Sequence, residues 1–369
     1  PHDFAEDGWP PNYALLREAS HTCGRSLNEG LYPVGNAVHY ALLNHRDFEC
    51  LTAAGLPPDN ATVLGNAVTR PDLEASDKAG TTDKQLIVYP TRAIRRKNIG
   101  EAILLAAVWK TLGKPVEVAI TLAPANPEWQ AAYRQWVTLA QDLNLPVRFE
   151  ASSSYPGGYE ALMRDADAVI TTSVAEGFGL AFLEPWLIGK PLIGRDLPSI
   201  TCDFSKRGIV LSGLYTQLAI PELAVDTMRF RDEVKNRLTS MYEAYGQDMP
   251  DDAATRAIQA ASADTGTGNG IDFGSLDEAL QAAVIAGVCQ EPALAAALAT
   301  QLPPLPTAES VQDNCIATTT AYGLDDYGIR LHQLYQKIAE AEASSANWLS
   351  ADRVLDQFLR PERFLLLRS

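Results

Sequence analysis

Cysteine is scarce in this chain of 369 residues, and its distribution argues against two classes of protein. The five cysteines are an odd number, and no two of them have the C-x-x-C spacing that is common in zinc sites. A disulfide framework needs paired cysteines, so we expect neither disulfides nor a zinc site, but a reducing, cytoplasmic compartment. The cysteines are Cys23, Cys50, Cys202, Cys289 and Cys315.

Positive charge and long apolar runs are also in short supply. Lysine and arginine number 30 against 46 acidic residues, which gives a formal net charge of −16. Such a surface repels phosphate backbones and anionic lipids, so the sequence predicts neither nucleic acid nor a membrane surface as a partner. No apolar run approaches the length of a membrane span. A site for an anionic ligand would therefore need a local cluster of cations.

Several catalytic motifs are missing from the sequence. There is no G-x-x-x-x-G-K-[ST] or G-x-G-x-x-G element, which argues against P-loop NTPases and nicotinamide enzymes. There is no G-x-S-x-G nucleophile elbow, and Asp272-Phe273-Gly274 lacks the glycine-rich loop that accompanies it in kinases. The composition, with 46% apolar and 21% charged residues, is that of a globular protein long enough for two or three domains.

Between residues 85 and 200, short apolar strands alternate with helices. This alternation predicts an α/β fold with a doubly wound parallel sheet, whose ligands bind at the carboxyl ends of the strands. The predicted strands are Leu86–Tyr89, Val116–Leu122, Val147–Glu150, Ala168–Thr171 and Pro191–Gly194. The predicted helices are Ile99–Leu112, Asn126–Leu143, Tyr159–Asp165 and Leu180–Ile188.

The rest of the chain carries weaker patterns. A single convincing strand, Ala37–Leu43, precedes a polar segment that resembles a linker, and the chain after residue 215 is mostly helical. Residues 249–270 are rich in Asp, Gly, Ala and Thr and are predicted to be a surface excursion. The predicted domains are 1–68 (a partial N-terminal Rossmann-like domain), 69–84 (a linker), 85–345 (a ligand-binding domain with a helical extension) and 346–369 (a helix returning to the N-terminal domain).

A cluster of cations follows the first predicted strand of the second domain and precedes a helix. Four of the six residues from 92 to 97 are basic, which is conspicuous in so acidic a chain. One reading is a solvated basic loop. The other is an anion clamp, because guanidinium and ammonium groups beside a helix N-terminus bind phosphate or diphosphate. The four residues are Arg92, Arg95, Arg96 and Lys97.

A second cluster follows the predicted strand Ala168–Thr171. Ser173-x-x-Glu176 matches a helix capping box, but two glycines follow at once, which is a poor start for a helix. Glycines at this position let the backbone approach a ligand closely. We therefore expect Glu176 in a loop over the pocket, and Glu184 on the helix behind it. Carboxylates in such a place accept hydrogen bonds from sugar hydroxyls.

Together these residues resemble the signature elements of the family-4 retaining glycosyltransferases of GT-B fold. Arg92 with Lys97 five positions later resembles the family's GR-x(4)-K element, and EGFGLAFLE, from Glu176 to Glu184, resembles its E-x7-E element. The resemblance implies two Rossmann-like domains that face a cleft. Because only about 68 residues precede the linker, the N-terminal domain is expected to be partial.

The resemblance also implies roles for individual residues. Arg92 and Lys97 would hold the donor's diphosphate and neutralise it as it leaves, so neither a metal nor another cofactor is expected. Glu176 would contact the donor sugar and Glu184 the ribose, although Pro185 departs from the family's usual alanine and is expected to bend the helix at Glu184. The remaining candidates are His2 near the donor sugar, and Gly177, Phe178, Gly179 and Leu180 as backbone contacts to the donor.

The function that follows is a cytoplasmic, metal-independent, retaining glycosyltransferase of carbohydrate biosynthesis. It would move a hexose from a nucleotide-diphosphate sugar to a sugar or small-molecule acceptor. Two alternatives stay open at this point: a nucleotide-sugar epimerase or sugar phosphorylase of the same fold, and a non-catalytic nucleotide-sugar-binding protein. The sequence names neither the base, the sugar nor the acceptor.

Overall fold

A computed structural model describes residues 32–71, 83–266, 268–342, 345 and 347–368. The candidate His2 therefore lies outside the described residues. By its internal packing the chain divides into two units. Unit 1 consists of Pro1–Val68, Arg231–Ala260 and Thr320–Ser369, and unit 2 consists of Thr69–Phe230 and Ala261–Thr319. Residues 231–260 and 320–345, which the sequence assigns to the ligand-binding domain, thus group with unit 1.

The strands are numbered in chain order, and the helices are named by their residues. The strands are β1 (Pro33–Val34), β2 (Tyr40–Leu42), β3 (Ala61–Val63), β4 (Gln85–Arg92), β5 (Val116–Leu122), β6 (Val147–Arg148), β7 (Ala168–Thr171), β8 (Leu192–Arg195), β9 (Leu214–Tyr215), β10 (Ala219–Pro221), β11 (Ser262–Asp264), β12 (Asn269–Asp272) and β13 (Asn347–Trp348). The α-helices are His45–Ala53, Ile99–Thr111, Pro127–Asp142, Ala151–Ser154, Gly158–Asp165, Glu184–Leu187, Pro198–Ser205, Thr227–Ala244, Ala253–Ala261, Glu278–Gln290, Pro292–Ala299, Ala308–Tyr322, Leu324–Ala339 and Ala351–Phe358.

A six-stranded sheet forms the centre of unit 2. Its strand order is β6-β5-β4-β7-β8-β9, and every neighbouring pair is parallel. The chain runs outward from β4 in one direction and then resumes at β7 in the other, so the order reverses between β4 and β7. The predicted α/β class with a doubly wound parallel sheet is confirmed, and the reversal point is where such sheets bind ligands.

The helix Ile99–Thr111 shows why this sheet is so apolar. All ten residues from Ile99 to Val108 are buried, because the sheet covers one side of the helix and the helices Glu278–Gln290 and Pro292–Ala299 cover another. A helix that is apolar all round belongs in the interior of a domain. The sequence predicts its ends to within one residue, at Leu112 instead of Thr111.

Unit 1 contains a parallel pair, β2 with β3, joined by the helix His45–Ala53. The Asn44 side chain caps this helix by accepting a hydrogen bond from the Asp47 N–H at 2.8 Å. The C-terminal helix Ala351–Phe358 packs against His45–Ala53, and β1 pairs with β13 in antiparallel fashion. Distant parts of the sequence therefore build this unit together.

Two predictions about local structure are wrong. Residues 249–270 are not a surface excursion: the helix Ala253–Ala261 is followed by β11 and β12, which form a three-stranded antiparallel sheet with β10. Residues 180–188 do not form one helix, because they split into a 3-10 turn at Leu180–Phe182 and the short helix Glu184–Leu187. In both places polar or glycine-rich composition obscures the packing that decides the structure.

Among the described residues, no single helix has both the length and the apolar character needed to cross a membrane. The bent pair Glu278–Gln290 and Pro292–Ala299 meets those criteria only when its two helices are taken together.

Candidate functional site

The two clusters that the sequence singles out lie at the carboxyl ends of neighbouring strands. Arg92 ends β4, and a 3-10 turn over Arg95–Lys97 leads into the helix Ile99–Thr111. The loop 172–179 follows β7, which pairs with β4 in parallel. Both loops therefore leave the sheet at the same edge, on the two sides of its reversal point.

Hydrogen bonds join the two loops behind the cations. Thr172 Oγ1 donates to the Asn98 carbonyl oxygen at 2.9 Å, and the Val174 N–H donates to the Arg96 carbonyl oxygen at 2.9 Å. The buried Tyr89 hydroxyl donates to the Lys97 carbonyl oxygen at 2.8 Å and lies 3.2 Å from Ser173 Oγ. Burial raises the pKa of Tyr89 to about 12, so this phenol stays a proton donor at neutral pH.

Glu176 lies between the cations of the first cluster. One carboxylate oxygen pairs with Lys97 Nζ and accepts a hydrogen bond from Ser173 Oγ at 2.7 Å, and the other lies 3.2 Å from Arg96 Nη1. The side chain of Glu176 is only 9% exposed. The capping-box reading of Ser173 and Glu176 is wrong, because the two side chains bond each other and no helix begins there. The predicted cation and carboxylate are thus brought together.

The four cations do not act as one group. The Arg95 guanidinium pairs with Glu278, at 2.6 Å from Nε to Oε1 and 3.2 Å from Nη2 to Oε2, and so serves the packing of unit 2. Arg92 is exposed, and its side chain contacts no partner among the described residues. Arg96 contacts Glu176 and the Ala175 carbonyl oxygen, at 3.1 Å. The sequence alone does not show which of the four cations pair with a carboxylate of this chain.

The glycine-rich loop turns sharply at Gly179. Its φ of +94° lies in the left-handed region, and a Cβ there would stand 2.8 Å from Cδ2 of Phe182, so a side chain is excluded on both counts. The Phe178 ring is buried and packs edge-to-face on Phe204, with centroids 5.5 Å apart. Leu180 is 38% exposed. The side chain of Phe178 therefore anchors the loop in the core.

Glu184 is the first residue of the short helix Glu184–Leu187, and its side chain is exposed. Partial burial nevertheless raises the pKa of its carboxyl above the ordinary value. Pro185 occupies the first turn of this helix, where its missing N–H has no helical partner to lose. Tyr159 is an exposed aromatic residue close to Glu184. Partial burial of its hydroxyl raises the pKa of Tyr159, and the negative charge of Glu184 raises it further.

A buried ion network lies behind Lys97, and the sequence did not reveal it. The Arg195 guanidinium contacts Glu101 Oε2 at 2.7 Å and Asp272 Oδ1 at 2.8 Å, and the Tyr215 hydroxyl donates to Glu101 Oε1 at 2.7 Å. Burial alone would lower the pKa of Arg195, but Asp272 and Glu101 raise it well above its usual value. The signal was present in the sequence, since Glu101 is an isolated charge in an apolar helix.

Asn98 connects this network to the site. Its backbone is left-handed, with φ of 48° and ψ of 51°, and its Nδ2 donates to Glu101 Oε2 at 2.8 Å. Its Oδ1 accepts a hydrogen bond from Gln281 Nε2 at 2.9 Å. Asparagine tolerates this backbone region better than most residues. Asn98 therefore fixes the direction in which the chain leaves Lys97.

No group of three or more His, Cys, Asp or Glu side chains in the described part of the chain is arranged to hold a metal ion. The predicted absence of a cofactor stays a prediction.

No protein-family profile matches the chain. Among curated proteins, it is similar to mannosylglucosyl-3-phosphoglycerate synthase from Petrotoga mobilis, with 30% identity over 216 residues. That match covers 54% of this chain and 40% of the relative, so the chain spans less than half of the relative's length.

Among solved structures, the chain is similar to HepE from Anabaena in complex with UDP and glucose. The sequence identity is 14% and the TM-score 0.47, over 91% of this chain and 70% of HepE. It is also similar to sucrose-phosphate synthase from Thermosynechococcus elongatus, with 15% identity and a TM-score of 0.44, over 81% of this chain and 58% of that one.

Proposed function

We propose that the chain is the donor-binding part of a retaining, metal-independent glycosyltransferase that transfers a hexose from a nucleotide-diphosphate sugar. The observation that carries the proposal is the contact of Glu176 with Lys97 and Arg96 at the reversal point of the sheet. Lys97, Arg96 and Glu176 lie at the edge of the sheet at which open α/β sheets bind nucleotides. A diphosphate and a sugar hydroxyl are the two ligand groups that such a pair accommodates.

The cations would stabilise the leaving group. In this proposal the exposed Arg92 and the ammonium of Lys97 bind the diphosphate oxygens, and their positive charge offsets the negative charge that develops as the bond to the sugar breaks. Fixed cations at that position take the part that a divalent metal plays in other transferases. Arg92 has no competing partner among the described residues, so it is ready to bind an anion without giving up a contact.

The carboxylates would orient the donor. When the diphosphate engages Lys97, Glu176 is released to accept a hydrogen bond from a hydroxyl of the donor sugar. Glu184 accepts from the ribose, as acidic side chains do in dinucleotide-binding folds. The sharp turn at Gly179 brings backbone close to the same ligand.

Retention of configuration follows in this proposal from attack on the face that the diphosphate leaves. The bond from the anomeric carbon to the diphosphate oxygen breaks, the acceptor oxygen bonds to that carbon, and the departing diphosphate takes the acceptor's proton. The relative from Petrotoga mobilis supports a sugar-related activity, since it is named as a synthase of a mannosylglucosyl-3-phosphoglycerate. The acceptor of this chain is part of the proposal only as a sugar or small molecule.

Thermal unfolding in the presence of UDP, GDP, ADP or dTDP tests the donor site. A ligand at a hundredfold excess over its Kd adds about 2.7 kcal/mol to the free energy of unfolding. We expect one nucleotide to raise the Tm of the chain, and Glu184→Ala to abolish the shift. Glu243→Ala, an exposed glutamate on another helix, is the matched control and keeps it. No shift with any of the four nucleotides contradicts the donor site.

Turnover separates the proposed transferase from its alternatives. The nucleotide sugar that matches the stabilising base is incubated with the chain alone and then with candidate acceptors. A transferase releases nucleotide only slowly without acceptor, whereas an epimerase makes a new nucleotide sugar with no acceptor present. Tight binding without any product in either case indicates a non-catalytic binder.

A further inference from the structure

A cavity of about 510 Å³ lies within unit 2, away from the two clusters. Gln85 and Val116, the first residues of β4 and β5, line it, whereas Arg92 is the last residue of β4. Ile87 of β4 and Ile193 of β8 also line it. The cavity therefore lies at the amino ends of β4 and β5, at the other end of β4 from Arg92, and extends to Tyr215 of β9.

The walls of this cavity are mostly apolar. Leu105 and Trp109 of the helix Ile99–Thr111 line it together with the two isoleucines. Protein interiors are close-packed and leave few voids larger than a water molecule, so an opening of this size is not ordinary packing. Its volume falls within the range of small-molecule sites, which are largely apolar with a few polar groups.

Prolines make one side of the cavity rigid before any ligand arrives. Pro303 and Pro304 form one wall, and Pro115 stands at the start of β5. The proline ring fixes the backbone φ, so these walls lose little freedom when a ligand binds. Ile87 of β4 and Ile193 of β8 also lie on rigid backbone, because both strands are hydrogen-bonded to β7. A preformed site of this kind binds at a lower entropic cost than a loop that must order.

Charge at the mouth indicates what kind of ligand fits. Among the described residues that line the cavity, Lys114 carries the formal charge, and its side chain is exposed and forms no ion pair within the described part of the chain. Gln85 adds an amide on the same rim. In a chain with a net charge of −16, an unneutralised lysine beside an apolar cavity selects for a single negative charge.

We propose that this cavity binds a small amphiphile with an apolar body and one carboxylate. The aliphatic or aromatic body fills the space between the sheet and Trp109, and the carboxylate meets the Lys114 ammonium at the mouth. The lining contains none of the residues assigned to the proposed donor site. Tyr215, which lines the cavity, also bonds Glu101, so the bound amphiphile touches the network behind Lys97.

Calorimetric titration with octanoate tests the proposal, with 1-octanol as the neutral probe of equal chain length. We expect saturable binding of octanoate with a negative heat-capacity change, which marks the burial of apolar surface. Lys114→Met removes the charge and keeps the stem, and we expect it to weaken octanoate binding about fivefold. Leu305→Glu places a like charge at a 48% exposed wall position, and we expect a loss of about tenfold or more.

The matched control is Lys235→Met, the same change at an exposed lysine outside the lining, which should leave octanoate binding unchanged. Both lining variants alter exposed side chains, so circular dichroism and thermal unfolding should match the unchanged chain. The proposal is overturned if octanoate gives no saturable heat below its micelle-forming concentration. It is equally overturned if 1-octanol binds as tightly as octanoate, or if Lys114→Met and Leu305→Glu bind octanoate as the unchanged chain does.

Discussion

At the residue scale, Glu176 has two sets of partners in the proposed cycle. In this structure it pairs with Lys97 and Arg96, and in the proposed complex the diphosphate takes its place beside these cations. An acidic residue that competes with the ligand's own anion should weaken binding of a nucleotide that lacks the sugar. It should strengthen binding of one that carries the sugar, because only the sugar offers Glu176 a new partner.

Glu176→Gln separates these two effects. We expect the variant to bind the nucleoside diphosphate more tightly than the unchanged chain does, since the competing charge is gone. We also expect the attached sugar to add less to the affinity in the variant than in the unchanged chain. Titration calorimetry with both ligands measures the ratio of the two Kd values. Equal changes for both ligands would show that Glu176 does not distinguish the sugar. Glu160→Gln, a glutamate outside these contacts, is the control.

Arg92→Ala should act on the ligand and not on the fold. Arg92 is exposed, and its side chain makes no hydrogen bond or ion pair among the described residues, so we expect an unchanged Tm without ligand. Loss of a cation from the proposed diphosphate site should raise the free-energy barrier of the transfer step by ~2–4 kcal/mol and so slow turnover. Steady-state kinetics with saturating acceptor make the measurement. Turnover within about threefold of the unchanged chain would remove Arg92 from the site.

The raised pKa of Glu184 predicts a pH dependence with a definite sign. Because the folded state holds this proton more tightly than the unfolded chain, its contribution favours the folded state as pH falls through the raised pKa and opposes it as pH rises. Ribose binding needs the ionised carboxylate. We therefore expect nucleotide affinity to decline in mild acid while stability does not, with Glu184→Gln losing both trends. Nucleotide affinity and the free energy of unfolding are each measured between neutral and mildly acidic pH. A decline of both as the pH falls would contradict this prediction.

At the scale of the element, Asn98 and the buried network hold the turn that carries Lys97. Arg195→Met would leave Glu101 and Asp272 as buried carboxylates without their cation. Breaking a buried ion pair on one side costs about 3–5 kcal/mol. We expect a loss of that size in the free energy of unfolding, measured in urea. The exposed pair of Arg256 with Glu362 provides the comparison, since Arg256→Met should cost far less.

The sequence predicts the elements of the sheet well and the loops less well, for a physical reason. Buried parallel strands such as Ala168–Thr171 are continuous apolar runs, so composition alone marks them. Residues 249–270 look polar because β11 and β12 are short strands that contain Asp264, Asn269 and Asp272, and the sheet is completed only when β12 pairs with the distant strand β10. Pairing over such distances leaves no local trace.

The candidate site divides in the same way. The spacing of Arg92, Lys97, Glu176 and Glu184 along the chain was enough to select them, because two strand ends meet at one edge of the sheet. The fate of Arg95, which pairs with Glu278 from a helix far along the chain, could not be read from its neighbours. Glu101 stands out as a charge in an apolar helix, but its partner Arg195 is 94 positions away, so the sequence does not show what neutralises it.

At the scale of the whole molecule, unit 1 is assembled from three stretches of chain. Val354 and Leu355 of the last helix are fully buried, and the Tyr242 hydroxyl donates to the Leu359 carbonyl oxygen at 2.7 Å. Truncation after residue 345 would therefore expose apolar surface at about 1.5–3 kcal/mol for each large side chain. We expect amide exchange to accelerate in His45–Ala53 and to stay slow in Ile99–Thr111. Equal acceleration in both helices would contradict this.

The contact between Glu176 and Lys97 also affects which ligands the proposed site binds. A carboxylate tethered beside an ammonium is present at a high effective concentration, so a free anion must outcompete a partner that never diffuses away. Inorganic phosphate offers an anion to Lys97 but no hydroxyl to Glu176, and a free sugar offers the hydroxyl without the anion. We expect neither to bind at the concentrations common in cells. A nucleotide sugar offers both groups in one molecule. The proposed site would thus bind the intact nucleotide sugar in preference to either of its parts.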